Sequence, residues 1–156
     1  MVKPQRPLHL PSFFPYQLSI LQGHVSDIVG RYYRQTYGMT RNAWRVMAAL
    51  ALRGGMSAKE IGQFVQLEKM PISRAIKELK AMEFVAQKTD LEDRRLIRLE
   101  LTEKGLEAYE DIVPNVLEQQ EEVLLGLNEE ERASLIKMTD KLLKHVKTLP
   151  NTLSLD

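Results

Sequence analysis

Between Ser57 and Thr102 the spacing of apolar residues changes from three-and-four to two, and one proline stands inside the first pattern. Few folds accommodate that order. Ser57 and Glu60 have the spacing of a capping box, with Ser57 at the N-cap and Glu60 three residues on, which predicts a short helix to about Val65. Pro71 lacks a backbone N–H and is tolerated in a helix only within the first turn. A second helix therefore starts near Glu68, with Ile72, Ile76 and Leu79 as its buried stripe. Lys69, Ser73, Arg74, Lys77 and Lys80 are left on its other faces. Residues 84–89 and 95–101 then read as two strands, since Leu96, Ile97, Leu99 and Leu101 are interleaved with Arg98 and Glu100. Thr102 has the character of a helix N-cap.

A short helix, a tight turn and a second helix form a helix-turn-helix arrangement, whose second helix enters the DNA major groove. It requires apolar residues at Ile61, Val65, Leu67, Ile72, Ile76 and Leu79, and a small residue such as Gly62 where the helices cross. The strand pair is then a wing. Its tip, DLEDRR, is open to two readings: a solvated loop that neutralises itself, or a probe for a polyanion. Arg94 and Arg95 can reach an adjacent minor groove, which attracts arginine where it is narrow. Asp93 can pin a neighbouring guanidinium by a bidentate hydrogen bond.

The remainder reads as helix. Phe14, Leu18, Leu21, Val25, Ile28, Val29 and Tyr32 define one face of a single helix over residues 13–36, ended by Gly38. Thr40 caps RNAWRVMAALALR, which is apolar nearly all round and so is expected to be buried; Gly54-Gly55 breaks it. Two long helices close the chain. One starts at about Thr102 and carries Leu106, Tyr109, Val113, Val116 and Leu117. The other opens on a second capping box, Asn128–Glu131, and carries Leu135, Ile136, Leu142, Leu143 and Val146. The expected fold class is mainly α with a small β-wing.

Composition excludes several functions. With 156 residues, the chain suits one domain. It has no cysteine, hence no disulfide framework, thiolate metal site or thiol redox switch. His9, His24 and His145 are scattered without paired carboxylates, so no metal and no cofactor is expected. A Gly-rich phosphate loop, a nucleophile elbow and an HExxH motif are all missing, so no enzyme is expected. No stretch is long and apolar enough for a bilayer, and the N-terminus lacks the pattern of a signal peptide; a soluble cytoplasmic protein without membrane partners is expected. Charge is unevenly spread. Residues 1–52 set six basic groups against Asp27 alone, whereas residues 105–156 set eleven acidic groups against five basic ones. One end suits a polyanion and the other avoids it.

These residues carry a family resemblance. Asp93-x-Arg95-x5-Leu101-Thr102-x2-Gly105 resembles the wing signature of the MarR (multiple antibiotic resistance regulator) family. SAKEIGQFVQLEKMPISRAIKELKAMEFV resembles that family's helix-turn-helix, with Ile72-Ser73-Arg74 where its recognition helix begins to read bases, and WRVMAAL resembles the helix before it. The likeness spans residues 14–148. It implies a single domain over 1–156, a winged helix-turn-helix lobe over 38–104, and dimerisation helices over 8–37 and 105–148. It implies a homodimer on double-stranded DNA with a palindromic operator, contacted through Lys69, Pro71, Ser73, Arg74, Lys77, Arg94 and Arg95, with Asp93 orienting the wing. Pro71 stands where the family often has Ser or Thr, and it removes a hydroxyl and a backbone donor near the groove. The resemblance further implies a small aromatic or carboxylate effector between the lobes. Its candidate lining is His24, Arg31, Trp44, Met47 and Tyr109, although the last three read more readily as core than as pocket. The expected function is a transcriptional regulator, a repressor released from DNA by such a ligand. The alternatives are a winged-helix module that binds protein and a DNA-binding regulator with no effector.

Overall fold

A computed structural model describes residues 8–90 and 96–150. After a 3-10 turn at Leu10–Ser12 come α1 (Phe14–Val29), α2 (Arg31–Tyr37) and α3 (Arg41–Leu52), then α4 (Ala58–Val65) and α5 (Lys69–Ala81). Strands β1 (Val85–Thr89) and β2 (Ile97–Leu101) follow, and α6 (Glu103–Leu124) and α7 (Glu129–Val146) end the chain. Two units result, one reaching to Gln120 and one starting at Glu121.

The single helix expected over 13–36 is divided at Gly30, which belongs to neither α1 nor α2. A Cβ there would stand 2.4 Å from Arg34 Nη1 and 2.8 Å from the Ser26 carbonyl oxygen. The missing side chain lets the Arg34 guanidinium fold back and donate to the carbonyls of Ser26, at 3.2 Å, and Asp27, at 2.5 Å. A cation at the carbonyl end of a helix also complements its dipole. Periodicity alone does not reveal that exchange of one helix for two.

Local signals elsewhere act as their chemistry dictates. Gly38 is left-handed at φ 66° and ends α2, and the Thr40 side chain accepts from the Ala43 N–H to start α3. Both capping boxes form, Ser57 with Glu60 and Asn128 with Glu131. Glu68 is the N-cap of α5, and Pro71 is its third residue, within the first turn. The buried face of α3 is Ala43, Val46, Met47, Ala49 and Leu50; that of α5 is Ile72, Ala75, Ile76 and Leu79. Where α4 meets the turn, a Cβ on Gly62 would lie 3.1 Å from the Leu67 carbonyl, so the crossing does demand a small residue.

β1 and β2 pair antiparallel from Val85↔Leu101 to Thr89↔Ile97, and Met56 bridges to Leu99 on the other side of β2. The Leu-Thr-x-x-Gly segment after them is a packing knot. Thr102 donates its hydroxyl to the Glu83 carbonyl at 2.7 Å and its N–H to the Phe84 carbonyl at 3.0 Å, while its Oγ1 accepts from the Gly105 N–H at 2.9 Å. A Cβ on Gly105 would stand 2.1 Å from the Phe84 carbonyl oxygen. The start of α6 is thus pressed against the chain entering β1, and only glycine fits.

Candidate nucleic-acid interface

Two polar ties hold the helix-turn-helix against α3, one to α5 and one to α4. Glu78 accepts the Thr40 N–H at 2.7 Å and the Thr40 hydroxyl at 2.7 Å, fastening the middle of α5 to the start of α3. Arg45 of α3 donates to the Val65 carbonyl, satisfying an orphan acceptor of the last turn of α4. With Ile72, Ile76 and Leu79 buried beneath, the helix has one orientation.

Its open face carries the residues named from the sequence. Lys69, Ser73, Arg74 and Lys77 are exposed and Pro71 is half-buried. Among the described residues, Lys69, Arg74 and Lys77 make no ion pair, whereas Lys80 donates to Gln87 at 2.6 Å. Unpaired cations on a rigid helix need no partner removed before they meet a phosphate. Beside them runs a groove of about 910 Å³ between α4, α5 and β1, lined by Lys59, Gln63, Gln66, Lys69, Ser73 and Gln87 among others. The polar side chains from α4 and β1 were not singled out in the sequence. Lys59 and Gln63, four apart on α4, flank Ile61 on a different face, so helical spacing did carry a signal for them.

Asp93, Arg94 and Arg95 lie outside the described residues. What the hairpin does show is its base. Lys88 stands directly opposite Arg98, a like-charge pair that costs stability in a hairpin. Each cation turns instead to a diagonal acid, Lys88 to Glu100 and Arg98 to Asp90.

The ligand-lining candidates fall into two groups. Trp44 is stacked between Tyr33 (centroids 5.6 Å apart, planes at 19°) and Tyr109 (5.7 Å, 18°), joining α2, α3 and α6. Met47 has no exposed surface and belongs to the same core, so a ligand meets it only after rearrangement. His24 and Arg31 are exposed on α1 and α2, and among the described residues neither is bonded to the stack. Next to it, Asp111 Oδ2 accepts from the phenols of Tyr32 and Tyr37, both at 2.7 Å. The Tyr32 hydrogen bond, then that of Tyr37, holds the Asp111 carboxyl below its ordinary 3.8. Burial, then the bond to Asp111, pushes Tyr37 from 10.0 to about 12.

A helix-turn-helix with an open basic second helix and an antiparallel hairpin behind it defines a winged-helix DNA-binding protein. The comparisons with known proteins agree. The model of the MarR family matches residues 37–96, from the last residue of α2 to the residue before β2. The helix-turn-helix-type transcriptional regulator YwoH of Bacillus subtilis (strain 168) is 30% identical over 98 residues, covering 63% of this chain and 71% of that one. YwaE of the same organism is 24% identical over 113 residues, 72% of this chain and 66% of the relative, just short of two thirds of its length. Among solved structures, Bordetella bronchiseptica BpsR, whose DNA binding is described as regulated by 6-hydroxynicotinic acid, superposes with a TM-score of 0.80 at 23% identity. That match covers 88% of this chain and 97% of BpsR, and it shows the shared fold. The chain belongs to the MarR family. It is a DNA-binding transcriptional regulator and not an enzyme.

Proposed function

We propose that the protein is a cytoplasmic repressor that binds a palindromic operator as a homodimer and leaves it when a small aromatic or carboxylate ligand binds. The observation that carries this reading is the exposed face of α5, where Ser73 and Arg74 stand beside unpaired Lys69 and Lys77. Ser73 and Arg74 read base edges, and the lysines hold phosphates. Arg94 and Arg95 enter the minor groove beside the half-site, oriented by Asp93. Two features support the dimer. In the first unit, α1 buries none of its residues and exposes Phe14, Leu18, Ile20 and Leu21; in the second, α7 exposes Leu135, Ile136, Leu142 and Leu143. Apolar area on that scale marks an interface. These helices correspond to the dimerisation segments over 8–37 and 105–148. No described helix is long and apolar enough to cross a membrane.

The ligand reading is supported by BpsR and by the Tyr33–Trp44–Tyr109 stack, into which a planar ring could insert in place of one of the three. For release, the ligand must prefer a form whose recognition helices are wrongly spaced; equal affinity for both forms shifts nothing. Quantitative DNA binding on a panel of duplexes tests the reading. Arg74→Ala relaxes sequence preference, whereas Lys77→Ala weakens all sequences alike and lowers the salt slope by about one charge. Trp44→Ala and Arg31→Ala blunt ligand release while leaving DNA binding in place. An Arg74→Ala protein with unchanged sequence preference would show that α5 does not read bases.

A further inference from the structure

We propose that Arg98 is the positioning residue that sets the wing against the helix-turn-helix, through a latch that spans the two. The inference rests on the DNA-binding reading of α5 and the wing, and it deepens that reading.

A two-stranded hairpin has little stiffness of its own, so its direction is set at its base. Here the base is held by main-chain bonds between β2 and Gly55-Met56, by Lys80 of α5, which donates to Gln87 of β1, and by Arg98. Arg98 Nε donates to Asp90 Oδ2 at 2.7 Å, and its Nη1 donates to Glu60 Oε2 at 2.7 Å and to the Gly55 carbonyl at 3.3 Å. Those three acceptors lie on different parts of the fold. Asp90 is the residue after β1, Glu60 belongs to α4, and Gly55 lies in the loop between α3 and α4. One planar guanidinium therefore ties the root of the tip to the first helix of the helix-turn-helix. A planar fork with several donors suits that task, and an ammonium does not.

Glu60 is itself immobilised. The same Oε2 accepts from the Ser57 N–H at 2.8 Å and the Ser57 hydroxyl at 2.7 Å. The capping box thus does two jobs: it starts α4 and presents a fixed acid to the wing. Arg98 and Asp90 have side-chain exposures of 29% and 16%, so this pair is shielded more than a surface ion pair is. Because Arg98 is engaged by two acids, it contributes little free positive charge to a phosphate. Its part is to keep the tip where the arginines beyond it meet DNA at a fixed distance from α5. An unlatched tip must be ordered at each binding event.

The test separates positioning from charge, because the two give opposite signs. Arg98→Met, Arg98→Lys, Asp90→Asn, Glu60→Gln and the Arg98→Met/Asp90→Asn pair are measured by fluorescence anisotropy. The probe is a duplex of about 30 base pairs that the parent selects from a random pool, titrated across a salt series. Glu60→Gln keeps the capping-box geometry, since glutamine serves at that position. The latch predicts that all four single variants bind about two- to tenfold more weakly. It also predicts that the double variant loses less than the sum of its two single losses, the signature of a shared interaction. Simple electrostatics predicts tighter binding for Asp90→Asn and Glu60→Gln, each of which removes a negative charge. Tighter or unchanged binding by those two, with weakening confined to Arg98→Met and rescued by Arg98→Lys, would make Arg98 a phosphate contact and overturn the proposal. Thermal melts confirm that each variant is folded at the assay temperature; if Arg98→Met is not, Arg98→Lys and Glu60→Gln decide. A parent that binds no duplex overturns the DNA reading and the latch together, whereas a binding parent with indifferent variants overturns the latch alone.

Discussion

At the scale of single residues, two positions explain more than their size suggests. Gly105 touches nothing chemically active, yet a Cβ there would overlap the Phe84 carbonyl. The backbone of Phe84 is fixed by Thr102 and cannot retreat. Gly105→Ala is therefore expected to cost about 1–3 kcal/mol of stability, the range for forced overpacking, measured by denaturant unfolding. Asp111 is the second position, and its effect depends on pH. Its carboxyl is held low by Tyr32 and Tyr37, so its contribution is present above the ordinary value of 3.8 and is lost as pH falls through the lower folded value. Tyr37 is raised, so its contribution is present below 10.0 and is lost as pH rises to about 12. The difference in melting temperature between the parent and Asp111→Asn is expected to form a plateau between those limits and to shrink on both sides. A difference that stays constant across the range would mean that the tyrosine clamp has no energetic role.

At the scale of elements, the sequence was most legible where a single residue's chemistry forces a boundary. Pro71 can only be near a helix start, Gly38 can be left-handed, and Ser57 with Glu60 forms a reciprocal cap; α5, α2 and α4 have these ends. The break at Gly30 was not legible, because it depends on Arg34 reaching back across a turn. The apolar pattern from Leu106 to Leu117, by contrast, carries one helix across Pro114, and α6 does hold that proline in its interior. The candidate site divides in the same way. The exposed face of α5 follows from helical period plus the position of Pro71. The ties from Thr40 to Glu78 and from Arg98 to Glu60 join residues 38 apart in the chain, and no spacing rule reports them. Ser57→Ala removes the acceptor for the Glu60 N–H, so α4 is expected to lose about 1 kcal/mol in thermal or chemical unfolding. Because Glu60 also meets Arg98, the same change should weaken DNA binding beyond any loss of stability.

At the scale of the whole molecule, the uneven charge has a structural counterpart. The basic first segment, residues 1–52, holds α1 to α3, residues 53–104 hold the helix-turn-helix and hairpin, and the acidic segment after them holds most of α6 and all of α7. The unpaired cations of α5 therefore lie in a different part of the chain from the acidic helices. A helix-turn-helix reads only a few base pairs, and two copies related by a two-fold axis read two half-sites on one face of DNA. In the proposed homodimer, the exposed apolar residues of α1 and of α7 are the surfaces that such a pairing would cover. The most direct test of this account is selection of bound duplexes from a random pool by the full chain, followed by sequencing. The account predicts enrichment of an inverted repeat whose half-site centres are about one helical turn apart, with A·T-rich steps at the flanks where the wings reach. Enrichment of an asymmetric site, or none above the starting pool, would contradict it.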